Sequence, residues 1–95
     1  MSLTLAKPGG TDRFALRNGG IGPDGFFEYK VGSDAWVLLP ANDLGRATFI
    51  VPEDNGTVVQ LRTYCSAADY PGSPAATAST TLNGSNKSWN ASSSC

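Results

Sequence analysis

TVVQLRTYC, residues 57–65, sets Val59, Leu61, Thr63 and Cys65 against Val58, Gln60, Arg62 and Tyr64. Successive residues of a strand point to opposite faces, so this alternation predicts a central strand with one buried and one wet face. The same rhythm recurs upstream. In LGRATFIVPEDNG, residues 44–56, Ala47, Phe49 and Val51 form an inward set before the turn Pro52-Glu53-Asp54-Asn55-Gly56. In GFFEYKVGSDAWVLLP, residues 25–40, Phe27, Tyr29 and Val31 share one face and Phe26, Glu28 and Lys30 the other. Gly32-Ser33-Asp34 turns the chain into a second strand, with Trp36 and Leu38 opposed to Val37 and Leu39. Trp36 reads either as core or as an exposed hairpin residue, and is expected to be partly buried. Pro40 stops the ladder because it lacks an N–H donor.

Downstream, Ser66 to Pro74 is a loop containing Tyr70-Pro71-Gly72, and AATASTTL, residues 75–82, offers a last strand with Ala76, Ala78, Thr80 and Leu82 inward. Towards the N-terminus, Phe14 and Leu16 alternate with Arg13, Ala15 and Arg17. Ser2 to Lys7 is expected to be an edge strand ending at Pro8-Gly9-Gly10. No window carries a helical period. Asn83 to Cys95 is rich in Asn and Ser, with Trp89 as its large apolar residue. These signals predict an all-β, two-sheet antiparallel β-sandwich of about seven strands over residues 1–82. Residues 83–95 are expected to be a polar tail without an evident partner in the domain, docked on it or on a neighbour. Deleting residues 84–95 is therefore expected to leave a folded sandwich and to weaken assembly.

A chain of 95 residues makes one domain. Its 40 % hydrophobic content is too high for a disordered chain, and its 16 % charged content is below the usual ~25 %. Seven basic residues nearly balance eight acidic ones without clustering, so a nucleic-acid partner is not expected. The apolar run Ala35 to Leu39 is too short to span a membrane. MSLTLAKPGG, residues 1–10, lacks the charged and apolar regions of a secretory signal. The chain is expected to be either a small protein outside the secretion pathway or a module of a larger exported protein.

Cys65 and Cys95 read either as two unpaired thiols or as a disulfide, which would contribute about 3–4 kcal/mol by closing the loop between them. There is no CxxC motif and no histidine, which disfavours redox or zinc chemistry and removes the commonest general base. The carboxylates mostly lie at turns, and no spacing suggests a glycosidase pair. Glu53, Asp54 and Asn55 do not supply the six or so oxygens that calcium needs. GGTDRF and NGGIGPDG lack the strand–loop–helix setting of a phosphate cradle. Neither catalysis nor a cofactor is expected.

GFFEYKVGSDAWVLLP resembles the third and fourth strands of the fibronectin type III and immunoglobulin-like modules of bacterial and phage proteins. NGTVVQLRTYCSAADYPGSPAATAST, residues 55–80, resembles their sixth strand, loop and seventh strand. The resemblance covers roughly residues 12 to 82. Phe14 and Leu16 stand where the family often carries Trp, and Val58 and Val59 where it often carries Tyr, so a looser immunoglobulin-like sandwich fits equally.

The resemblance implies a non-catalytic role. The first expectation is a structural or binding module whose partner is a protein in a larger assembly, such as an accessory or decoration component of a phage virion. The alternative is a spacer, adhesion or carbohydrate-binding module of a secreted bacterial protein, located outside the cell or on its surface. A weaker one is a hydrolase inhibitor acting through Asp69 to Ser73. The candidate binding residues are Phe26, Tyr64, Tyr70 and Trp89, aromatics on expected outer faces or loops. Tyr64 and Tyr70 together would make a platform for a sugar ring or a protein. Asn55-Gly56-Thr57, Asn83-Gly84-Ser85, Asn86-Lys87-Ser88 and Asn90-Ala91-Ser92 match glycan acceptors, as polar turns do by chance.

Overall fold

The computed structural model describes residues 2–6, 12–52, 55–83, 87–93 and 95. The expected stop at Pro8-Gly9-Gly10, the acidic pair Glu53 and Asp54, and the stretch Gly84 to Asn86 lie outside the described residues. Among the described residues the strands are β1 (Ser2–Ala6), β2 (Asp12–Arg17), β3 (Phe26–Val31), β4 (Val37–Pro40), β5 (Arg46–Val51), β6 (Val58–Tyr64), β7 (Ala76–Thr81) and β8 (Lys87–Asn90). The fold is all-β. A short 3-10 turn at Ala67–Asp69 interrupts the β6–β7 loop.

The strands form two four-stranded antiparallel sheets. The first has the order β5-β2-β1-β8 and the second β4-β3-β6-β7. Alternation fixes which face each strand turns to its neighbour sheet, because a one-residue slip would move every apolar side chain to water. Phe14, Leu16, Ala47, Phe49 and Val51 of the first sheet share one buried cluster with Phe27, Val59 and Leu61 of the second, closed by Leu82. The sheets therefore pack face to face in a sandwich-like arrangement. Phe49 lies between two rings: it stacks on Phe14 of its own sheet at 4.8 Å and on Tyr29 of the opposite sheet at 4.0 Å. This ladder of rings ties the layers together beyond simple area burial.

Two expectations are corrected. Strand β1 is not an edge strand, because β2 flanks it on one side and β8 on the other. The tail is not without a partner: Lys87–Asn90 extends the first sheet as an eighth strand, and Cys95 is bonded to Cys65. The physical reason is the open ladder of β1. Its unpaired N–H and C=O groups are an adhesive edge, and the backbone of the tail pairs with them. Side-chain alternation says nothing about that. The disulfide closes a loop of 30 residues and anchors the end of the tail to the end of β6.

Around that anchor the loops pack tightly. Asn18, buried after β2, receives the N–H of Gly20 on its Oδ1. Its Nδ2 faces Thr63 Oγ1, Ser93 Oγ and Cys95 Sγ at 3.5, 3.3 and 3.5 Å, so two hydrogens are shared among three acceptors. Its backbone N–H donates to the carbonyl of Gly45, 2.8 Å away. Gly45 has φ +70°, and a Cβ there would run into the Asn18 carbonyl. One residue thus gathers the β2–β3 loop, β6 and the tail through its side chain, and the β4–β5 loop through its backbone, at one end of the molecule.

Candidate functional site

The register of the second sheet places side chains in rows across its outer face. Phe26 stands opposite Tyr64, Glu28 opposite Arg62, and Lys30 opposite Gln60. On β7, Thr77 is opposite Arg62 and Ser79 opposite Gln60. Directly opposed residues of an antiparallel pair lie close enough to interact. Each row consequently becomes a local chemical unit.

The first row is aromatic. Phe26 and Tyr64 stack at 5.1 Å, and Tyr70 meets them edge-on at 5.5 and 5.2 Å. The β6–β7 loop delivers Tyr70 through successive turns: Asp69 N–H to Ser66, Tyr70 N–H to Ala67, and Gly72 N–H to Asp69. The Tyr70–Pro71 peptide is cis. Of the candidate aromatics, the structure brings Phe26, Tyr64 and Tyr70 together. It also buries two of them, Phe26 at 6 % and Tyr64 at 2 % exposure, and leaves Tyr70 at 44 %. The outer-face position of Phe26 and Tyr64 is as expected. Their exposure is not, because the loop folds back over that end of the sheet. Trp89 stands apart in β8 of the other sheet, opposite Leu3, in a register row with Leu16 and Ala47.

The second row is an ion pair with an aromatic neighbour. Arg62 Nε donates to Glu28 Oε1 at 2.8 Å, and the Arg62 guanidinium carbon lies 3.7 Å from the centre of the Trp36 ring. Glu28 is 3 % exposed although it belongs to the outer face. A carboxylate that deep needs a partner, and Arg62 supplies both the charge and the hydrogen bond. The Trp36 ring adds cation–π attraction and fixes the plane of the guanidinium. Trp36 itself is half-buried.

Beside this pair runs an open groove of about 490 Å³ lined by Trp36, Gln60, Arg62, Pro74, Thr77 and Ser79, with parts of Leu61 and Ala78 beneath. A second, mostly apolar cleft of about 210 Å³ lies at the β4–β5 side of the molecule, where Tyr29, Val31, Val37, Ile50 and Pro52 meet, with Asp34 also in its lining. Of the large exposed hydrophobic residues, Val37, Leu38, Leu44 and Ile50 all belong to β4, β5 or the loop between them. Among the described residues no three His, Cys, Asp or Glu side chains come together to hold a metal ion.

Sequence reading missed Glu28, Trp36, Arg62 and the hydroxyls of β7 as a unit. Their signal was present as outward positions of β3, β6 and β7, but it becomes a site only once β3 and β6 are known to be partners in this register. No protein-family model matches the chain, and no curated protein or solved structure matches it.

Proposed function

We propose that this chain is a non-catalytic module of the immunoglobulin or fibronectin type III kind that joins a larger protein assembly through its β4–β5 side. The strand division supports the module type. The third, sixth and seventh strands share one sheet and the first, second and fifth the other, as in those sandwiches, and β4 lies beside β3 as an added strand. The lack of histidine and the turn positions of most of the carboxylates support a role without catalysis.

The observation that carries the assembly reading is the placement of exposed apolar side chains. Ile50 is 59 % and Leu38 54 % exposed, and Val37 and Ile50 border one cleft between two edge strands. An edge strand with apolar neighbours is a template for another chain, and proteins that stay apart usually blunt it with charge. The fitting partner is a protein surface with an apolar centre or an extended segment that adds to β4 or β5. A virion accessory or decoration component is the assembly that a small, Gly-, Ser- and Thr-rich module of low charge suits best.

Site-specific photo-crosslinking in the cells or particles that make the chain tests this. Probes at positions 38 and 50 are expected to give one discrete protein adduct, and a probe at position 15, exposed on the first sheet, none. Adducts spread equally over the three positions, or absent from 38 and 50, would refute the reading.

A further inference from the structure

We infer that the groove on the outer face of the second sheet is a binding site for a neutral oligosaccharide, with Gln60, Arg62, Thr77 and Ser79 as its hydrogen-bonding floor and Trp36 and Pro74 as its walls. This site is separate from the β4–β5 side and does not depend on the assembly reading.

The floor is a grid. Gln60 and Arg62 are alternate residues of β6, and Ser79 and Thr77 stand directly opposite them on β7. Alternate residues of one strand share a face about 7 Å apart, and opposed residues about 5 Å apart, so four polar groups point from one small patch. None of the four side chains donates to another described residue, except through Arg62 Nε. The guanidinium has five N–H groups, and Glu28 takes one of them, at Nε. Trp36 on its face and Glu28 on its edge hold it rigid, so its outer nitrogens are donors fixed before any ligand arrives.

Charge and shape select the ligand class. Glu28 cancels the charge of Arg62, and Lys30, opposite Gln60, does not line the groove. A phosphate or sulfate group would need unpaired cations, which the groove does not offer. A pyranose suits it: its rim of hydroxyls both donates and accepts, matching the amide of Gln60, the hydroxyls of Thr77 and Ser79 and the donors of Arg62. Its apolar C–H face suits Trp36 and Pro74. The groove is open along the sheet and within the usual range of ligand sites at about 490 Å³, which fits a stretch of a chain of sugars.

The test is a titration of the ¹⁵N-labelled full chain with cellohexaose, maltohexaose, xylohexaose and chitohexaose, followed by amide and indole NMR shifts. Polygalacturonate and inorganic phosphate serve as anionic arms. At least one neutral oligomer is expected to shift the amides of Gln60, Arg62, Thr77 and Ser79 and the Trp36 indole, at concentrations up to roughly 10 mM, which covers a millimolar Kd. The double variant Gln60→Ala, Ser79→Ala removes groups without a described partner, keeps the melting temperature, and should weaken that binding by roughly tenfold or more. Thr48→Ala, on the first sheet, should not alter it. The inference is overturned if no neutral oligomer shifts these signals, if only the anionic probes do, if shifts map to Tyr70 instead, or if the double variant binds as the parent does.

Discussion

The two open sides of this molecule are finished differently. On one side, β7 and β8 end the sheets with Thr77, Ser79, Thr81, Ser88 and Asn90 exposed, a border of hydroxyls and amide. On the other, β4 and β5 end them with Val37, Leu38 and Ile50 exposed. The polar side is also closed by construction. The tail adds β8 to β1, and the bond between Cys95 and Cys65 pins the tail 30 residues from its anchor. A sandwich has two lateral borders to protect from other chains. Here one is protected by a covalently held polar strand, and the other keeps apolar groups that a solitary domain gains nothing by showing to water.

Removing the closure is expected to have the largest effect. Deleting residues 84–95 takes away β8 and the disulfide together, so the loss should exceed the ~3–4 kcal/mol of the disulfide alone. For a domain of this size each kcal/mol shifts Tm by about 4–8 °C, so calorimetry should show a fall of well over 12 °C. A truncated chain that melts like the parent would mean that the polar side is not held by the tail. Cys95→Ser separates the two contributions: it keeps the strand residues and should cost about 3–4 kcal/mol in urea unfolding.

Next in size is the residue that joins the loops at the closed end. Asn18→Ala leaves the N–H of Gly20 and the hydroxyl of Ser93 without their buried partner, for an expected loss of about 1–3 kcal/mol in the same assay. The smallest effect on stability, and the sharpest on the comparison, belongs to the open side. Ile50→Lys adds a charge to an exposed edge and should change stability by no more than about 0.5 kcal/mol. It should abolish the crosslinked adduct at position 38. A Ser88→Lys variant on the closed side should leave that adduct intact.

The difference between the two sides also explains what could be read from sequence. Strands β2, β5, β6 and β7 were legible because their inward sets, such as Phe14 with Leu16 or Ala47, Phe49 and Val51, repeat at the pleat of a sheet. Strand β8 was not, because four residues, Lys-Ser-Trp-Asn, carry no alternation and owe their strand conformation to the ladder of β1. The ion pair of Glu28 and Arg62 joins residues 34 apart in sequence, and only register makes them neighbours. Phe26 and Tyr64 were placed on the correct face. Their burial depends on a loop, Ser66 to Pro74, whose path is set by local turn bonds rather than by hydrophobic pattern.

Amide hydrogen exchange with and without a reductant of the Cys65–Cys95 bond tests the closed side most directly. The amides of β1 that face β8 should exchange slowly in the oxidised protein and much faster once the bond is reduced, while those of β3 and β6 stay protected. Rapid exchange along β1 with the bond intact, or unchanged exchange after its reduction, would contradict the closure of that edge by a tail that the disulfide holds in place.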